Sequence, residues 1–180
     1  MAATTTLALM AAALITTGST AAPAPPGPER TNLSGLTSQV YPLVFQVEDL
    51  AGTQRETQSA SETKYTLQSS LLFAKDSSRI SQAARSALDD IARKIAAARP
   101  AQPVKIMGYT DDLGSAEHGL KLSKERATAV KVLLQKRPEL VGVTYTTEGH
   151  GEARPIADNG TEAGRRRNRR VEIVVAASTD

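Results

Sequence analysis

Between residues 65 and 177 the apolar positions switch repeatedly between a spacing of two and a spacing of three or four. The first spacing marks a strand with one face in a core, the second a helix laid on one. Tyr65 to Phe73 alternates as a strand. Ile80, Ala84, Leu88, Ile91 and Ile95 then recur at helical spacing to residue 98. Asp76, Ser77 or Ser78 can cap that helix, and Pro100 and Pro103 end it. Val104 to Met107 is a short strand stopping at Gly108. After the loop Tyr109–Gly119, a second helix is expected over about 117–136, with Leu122, Ala127, Val130, Leu133 and Leu134 on its apolar side and Pro138 closing it. Val141 to Tyr145 alternates as a third strand, and Gly149-His150-Gly151 breaks the chain. A short helix at 161–167 leads to a last strand, Val171 to Val175. The order β-α-β-α-β-(α)-β predicts an α+β fold: a βαβαβ-type mixed sheet with its helices packed on one face.

The N-terminal part follows different rules. Residues 4–18 are an uncharged, largely apolar run, followed by Ala21-Ala22 and the breaker PAPPGPER. An apolar stretch shorter than the ~20 residues that span a bilayer, then small residues, reads as a secretory signal over 1–22. Residues 23–38 have the Pro, Gly, Ser and Thr content of a linker. In 40–50, Val44, Gln46 and Glu48 alternate with Phe45, Val47 and Asp49, so 39–64 reads as a strand or hairpin extension of the domain at 65–177. These two strand candidates, 40–50 and 63–73, are too few for a membrane barrel.

Composition narrows the chemistry. Hydrophobic residues make up 40% of the 180, but aromatics only 3% with no Trp, so the core must be aliphatic. With no cysteine, disulfides, thiolate metal sites, a Cys nucleophile and a lipid-modified N-terminal Cys are all excluded. His118 and His150 are too few for a histidine metal centre. A net charge of +3 names no partner.

Two segments carry candidate chemistry. Asp111 falls at a strand end, where a carboxylate faces a loop, and Arg126 lies in the helix that follows, four residues from Leu122 and Val130. Periodicity leaves two readings open: a structural Asp–Arg ion pair closing helix onto sheet, or a charged pair aimed at a ligand. Asp112 and Glu117 lack the spacing of a calcium loop. His118 has no nucleophile motif beside it. The second segment, Arg165-Arg166-Arg167-Asn168-Arg169-Arg170, can meet nucleic-acid phosphates, but no aromatics interleave with it for base stacking. Arginines that cap carbonyls and pair with Glu162 and Glu172 are the expected reading, with no nucleic-acid partner.

Gly108-Tyr109-Thr110-Asp111, Gly114, Leu122-Ser123, Arg126-Ala127 and Val130 resemble the signature of the OmpA-like C-terminal domain family. Gly149-x-Gly151-Glu152, Pro155, Asn159, Gly164-Arg165 and Asn168 to Ile173 match its second half in order and spacing. The resemblance covers about residues 65–176. It implies non-covalent binding of peptidoglycan, with Asp111 and Arg126 holding the zwitterionic end of diaminopimelate in the stem peptide. Thr110, Leu122 and Ser123 are implied as walls of that site. Gly119 stands where the family usually has Asn. The expectation is an exported, non-enzymatic protein of the cell wall, envelope or periplasm, with no cofactor or metal. Peptidoglycan is its partner, and 39–64 is available to an envelope protein. The rival expectations are an OmpA-like fold that has lost the ligand and serves as a protein-interaction module, and a wall hydrolase.

Overall fold

The computed structural model describes residues 44–49, 52–74 and 76–177. The expected signal (1–22) and linker (23–38) lie outside the described residues, as does the start of the 39–64 extension. Six strands and four helices follow in the order β1 (Phe45–Glu48), β2 (Gln54–Gln58), β3 (Glu62–Gln68), α1 (Ser69–Leu72), α2 (Gln82–Ala98), β4 (Val104–Gly108), α3 (Ala116–Gln135), β5 (Tyr145–Gly149), α4 (Glu162–Asn168) and β6 (Arg170–Ala176). They form one mixed sheet in the order β1-β2-β3-β6-β4-β5. Only β4 and β5 run parallel, with α3 between them in the chain; the other neighbours are antiparallel.

The register places Tyr65 opposite Ile173, Leu67 opposite Val171, and Ile106 opposite Ile173, so one apolar stripe crosses β3, β6 and β4. Leu88, Ile91 and Ile95 of α2 and Ala127, Val130 and Leu134 of α3 join the same buried cluster, so both long helices cover one face of the sheet. That is the α+β arrangement the periodicity predicts. Truncating any of these leucines or isoleucines to Ala is worth about 2–5 kcal/mol.

Four local readings change. The strand expected over 65–73 ends at Gln68, where its pairing with β6 runs out at Arg170, and the chain turns into α1. Its entry is fixed by the Ser69 N–H, which donates to the Arg169 carbonyl (2.8 Å). Helix α2 is capped by Ser81, whose hydroxyl accepts from the Ala84 N–H, rather than by Asp76, Ser77 or Ser78; Ile80 instead bridges to Phe73. The strand expected at 141–145 begins only at Tyr145, because Pro138–Leu140 forms a 3-10 turn that buries Leu140 and leaves Val141 84% exposed. Pairing of Val104 with Tyr145 sets its start. Finally, the extension contains a second strand that periodicity does not mark, the polar β2, and β1 pairs with it as a hairpin. The sequence QRETQ has no apolar period to read, and the hairpin is held by its turn. There Asp49 accepts from the Thr53 hydroxyl (2.6 Å) and the Gln54 N–H (2.8 Å).

Helix α3 presses directly on the ends of β4 and β5. A Cβ on Gly108 falls 2.1 Å from the Ser123 carbonyl oxygen, and one on Gly149 falls 2.6 Å from the Lys124 nitrogen. Both obstacles are backbone, so only glycine allows this approach. Gly108→Ala is expected to lower unfolding free energy by about 1–3 kcal/mol or more, the usual penalty for overpacking. Chemical denaturation measures it; a change within error contradicts the close approach.

Candidate functional site

The loop leaving β4 is pinned from behind. The Tyr109 N–H donates to the Arg170 carbonyl (2.9 Å) and the Thr110 N–H to the Gly151 carbonyl (2.8 Å). The Tyr109 ring stacks on His150 with centroids 5.0 Å apart, and the Arg170 guanidinium lies 3.7 Å from its centroid. Arg170 is only 2% exposed. Its charge is met by Glu172 (2.8 Å), and it donates also to the Arg154 and Asn168 carbonyls (3.1 and 3.3 Å). Asn168 in turn accepts from the Ile156 and Ala157 N–H groups (2.8 and 3.0 Å) and donates to the Ala157 carbonyl (2.8 Å). Arg165, Arg169 and Arg170 of the arginine-rich segment therefore cap carbonyls or pair with acids, as the sequence context suggested, while Arg166 and Arg167 are exposed.

In front of the loop lies a cavity of about 820 Å³, bounded by α1 and the segment after it, the 110–119 loop, the first half of α3, and α4. Asp111, 8% exposed, reaches it from the strand end. One carboxylate oxygen accepts from the Leu113 N–H (3.4 Å), and the other pairs with Arg169. Arg169 also donates to Glu162 (2.6 Å), bridging the two acids. Partial burial works against the Arg169 charge, but the bonds to Glu162 and Asp111 outweigh it and raise its pKa. The same bond from Arg169, with one from Arg165, holds the Glu162 carboxyl below its ordinary value.

Arg126 differs. At 4% exposure it donates from Nε to the Ser77 carbonyl (3.0 Å) and lies 5.3 Å from the Phe73 ring centroid. Among the described residues it forms no ion pair. Burial pushes its guanidinium below the usual arginine value, opposed mainly by the field of Asp76 and less by that of Asp111. The direct Asp111–Arg126 bridge, one of the two readings open in the sequence, is not made: Arg169 takes Asp111 instead. A cavity with a buried guanidinium lacking a carboxylate, and a carboxylate a short way off, is suited to a small ligand carrying both charges.

Of the sequence candidates, Asp111, Arg126, Thr110 and Leu122 line this cavity. Ser123 does not. Its hydroxyl donates to the Leu120 carbonyl (2.8 Å) and accepts from the Gly151 N–H (3.0 Å), tying α3 to the loop after β5. The Thr110 hydroxyl is buried, has no hydrogen-bond partner among the described residues, and faces Gly119, where an added Cβ would stand 2.9 Å from it. Arg169, Glu162 and Phe73 line the cavity too and were missed as site residues. The one usable signal was the alternation within Asn168-Arg169-Arg170, which sends neighbouring arginines to different surroundings. Among the described residues no cluster of three His, Cys, Asp or Glu is placed to hold a metal, and no helix is long and apolar enough to cross a membrane.

The OmpA family model matches residues 72–169, more than half the chain and the whole wall of this cavity from α3 to α4. The chain belongs to the OmpA family. It is similar to outer membrane porin F of Pseudomonas fluorescens, with 47% identity over 78 residues covering 43% of this chain and 24% of that protein. It is similar also to the peptidoglycan-binding protein ArfA of Mycobacterium bovis, with 40% identity over 105 residues covering 58% of this chain and 32% of that protein. The chain thus spans a quarter to a third of these curated relatives. Among solved structures, the cell wall anchor of the T6SS from Pseudomonas aeruginosa superposes with a TM-score of 0.63 at 29% identity, covering 71% of this chain and 90% of that one.

The Glu162–Arg169 contact has a pH signature. A depressed folded pKa means its contribution is full above the unfolded value and is lost as pH falls through the folded one. An NMR titration of the Glu162 side-chain carboxyl is expected to give a midpoint below the ordinary 4.5. A midpoint at or above that value contradicts the bridge.

Proposed function

We propose that this chain binds peptidoglycan non-covalently, taking the zwitterionic end of diaminopimelate in the cavity between Asp111 and Arg126. The observation that carries the reading is the buried Arg126 guanidinium, which has no carboxylate of its own among the described residues. Arg126 takes the ligand carboxylate, in a two-pronged geometry that Lys cannot reproduce. Asp111, held in place by Arg169, takes the ammonium. Thr110 and Leu122 form the walls, while Ser123 holds the helix that carries Arg126. Family membership supports this, as do a relative named for peptidoglycan binding and a structural neighbour described as a cell wall anchor.

Binding needs only the charged pair; among the described residues the cavity hydroxyls of Ser69, Ser70 and Thr110 are hydrogen-bonded neither to His118 nor to a carboxylate, and no metal cluster is placed there. The protein acts as a wall-tethering or wall-localising module and not as an enzyme. Its layout is a signal at 1–22, a linker at 23–38, the strand extension at 39–64 and the wall-binding domain at 65–177, placing it in the cell envelope. A fold that had lost its ligand has no reason to keep a guanidinium buried and unpaired, because that costs several kcal/mol.

Each charge-assisted bond contributes about 1.5–3 kcal/mol, which gives micromolar to millimolar affinity for one site, strengthened by the polymer. Co-sedimentation with diaminopimelate-type sacculi tests this. The native chain should pellet, and Asp111→Ala and Arg126→Ala, folded by circular dichroism, should bind about tenfold to a hundredfold more weakly. Undiminished pelleting of both variants sinks the site, and a clearing zone in a wall-embedded gel sinks the non-enzymatic reading.

A further inference from the structure

A second groove, of about 430 Å³, lies beside the first cavity and is absorbed by nothing above. Arg79, Arg85, Lys136 and Arg137 line it, and among the described residues no acidic one does. Arg137 is paired with Asp89, whereas Arg79, Arg85 and Lys136 make no ion pair among the described residues. Its floor is aliphatic, from Ile80, Val132 and Leu133. Three free cations around an apolar floor complement a ligand that carries carboxylates on an aliphatic or peptide frame.

Two observations connect this groove to the first cavity. Phe73 lines the cavity and Ile80 the groove, and the two are joined by an antiparallel bridge, so one short segment walls both. Helix α3 also runs along both. Leu122 and Arg126 face the cavity, and Leu133 with Lys136 just beyond the helix end faces the groove. At about 1.5 Å rise per residue, Arg126 and Lys136 are roughly 15 Å apart along the axis. An extended peptide covers that in four or five residues at about 3.3–3.6 Å each.

We propose that the groove is a second foothold for the same wall polymer, in which Arg79, Arg85 and Lys136 take free carboxylates of the peptide stems while the first cavity holds diaminopimelate. This rests on the reading of the first cavity. The two sites then act as linked modules. The second contact is intramolecular once the first is made, so weak, solvent-exposed cations add measurably to attachment to polymer and nothing to a single small ligand.

The test compares the native chain with the double variant Arg85→Glu/Lys136→Glu against two probes, free diaminopimelate by calorimetry and intact sacculi by co-sedimentation. Both side chains are exposed, and unchanged diaminopimelate affinity reports that the variant is folded. The expected result is unaltered diaminopimelate binding with about a tenfold loss on sacculi, together with a shallower dependence of sacculus binding on salt. Unchanged sacculus binding overturns the second foothold and leaves its cations to a different anionic occupant, such as a lipid surface. An equal loss on both probes overturns it as well, because the charges then act through the first cavity. If the native chain binds neither probe, the reading of the first cavity falls with it. If it binds both through Asp111 while the double variant matches it, only the second foothold falls.

Discussion

The buried Arg170 guanidinium is the constraint from which the rest of the site follows. A full charge at 2% exposure survives only with its donors met, and Glu172, two backbone carbonyls and the face of Tyr109 meet them. Tyr109 is held by that guanidinium and by stacking on His150, which fixes the start of the loop that follows. Thr110 is paired to Gly151 and Asp111 is delivered to the cavity. Arg169, one residue before, faces that cavity and pairs with Asp111 there. A single dipeptide thus holds both the back of the loop and, through Arg169, the Asp111 carboxylate at its front.

That arrangement separates the roles of the two cavity arginines. Arg169 is neutralised twice over, by Asp111 and Glu162, and serves to orient Asp111. Arg126 is the more deeply buried of the two and, among the described residues, meets only a carbonyl and an aromatic face. An uncompensated guanidinium in low dielectric gains more from an incoming carboxylate than an exposed one does. In the binding mode proposed above, affinity therefore concentrates at Arg126, while Asp111 adds selectivity for a ligand whose carboxylate has an ammonium beside it.

Much of this was legible in the sequence. Aliphatic spacing located α2, α3, β4 and β6 to within a few residues, because each buries one regular stripe in a single core. Strand end and helix face place Asp111 and Arg126 on one cavity, but only the family resemblance marked them as a ligand pair, since position alone left a mutual ion pair open. What the sequence could not carry were features decided by partners far along the chain. Strand β2 is polar on both faces and exists because β1 and β3 flank it. Ser69–Leu72 reads as a continuation of the strand before it, yet β6 offers no residue to pair it beyond Arg170. Asp111 has two arginines within reach, and only the fold decides that Arg169 takes it, 58 residues away. Ser123 sits one position off the cavity, a distinction of helix phase finer than a motif supplies.

The central claim is that Arg126 and Asp111 divide one zwitterion between them. The most direct measurement is a crystal structure of the chain soaked or grown with diaminopimelate. The account predicts the ligand carboxylate in two-pronged contact with Arg126 and its ammonium on Asp111, with Arg169 still bridging to Glu162. Diaminopimelate bound elsewhere, or bound with Arg126 turned away from it, contradicts the account.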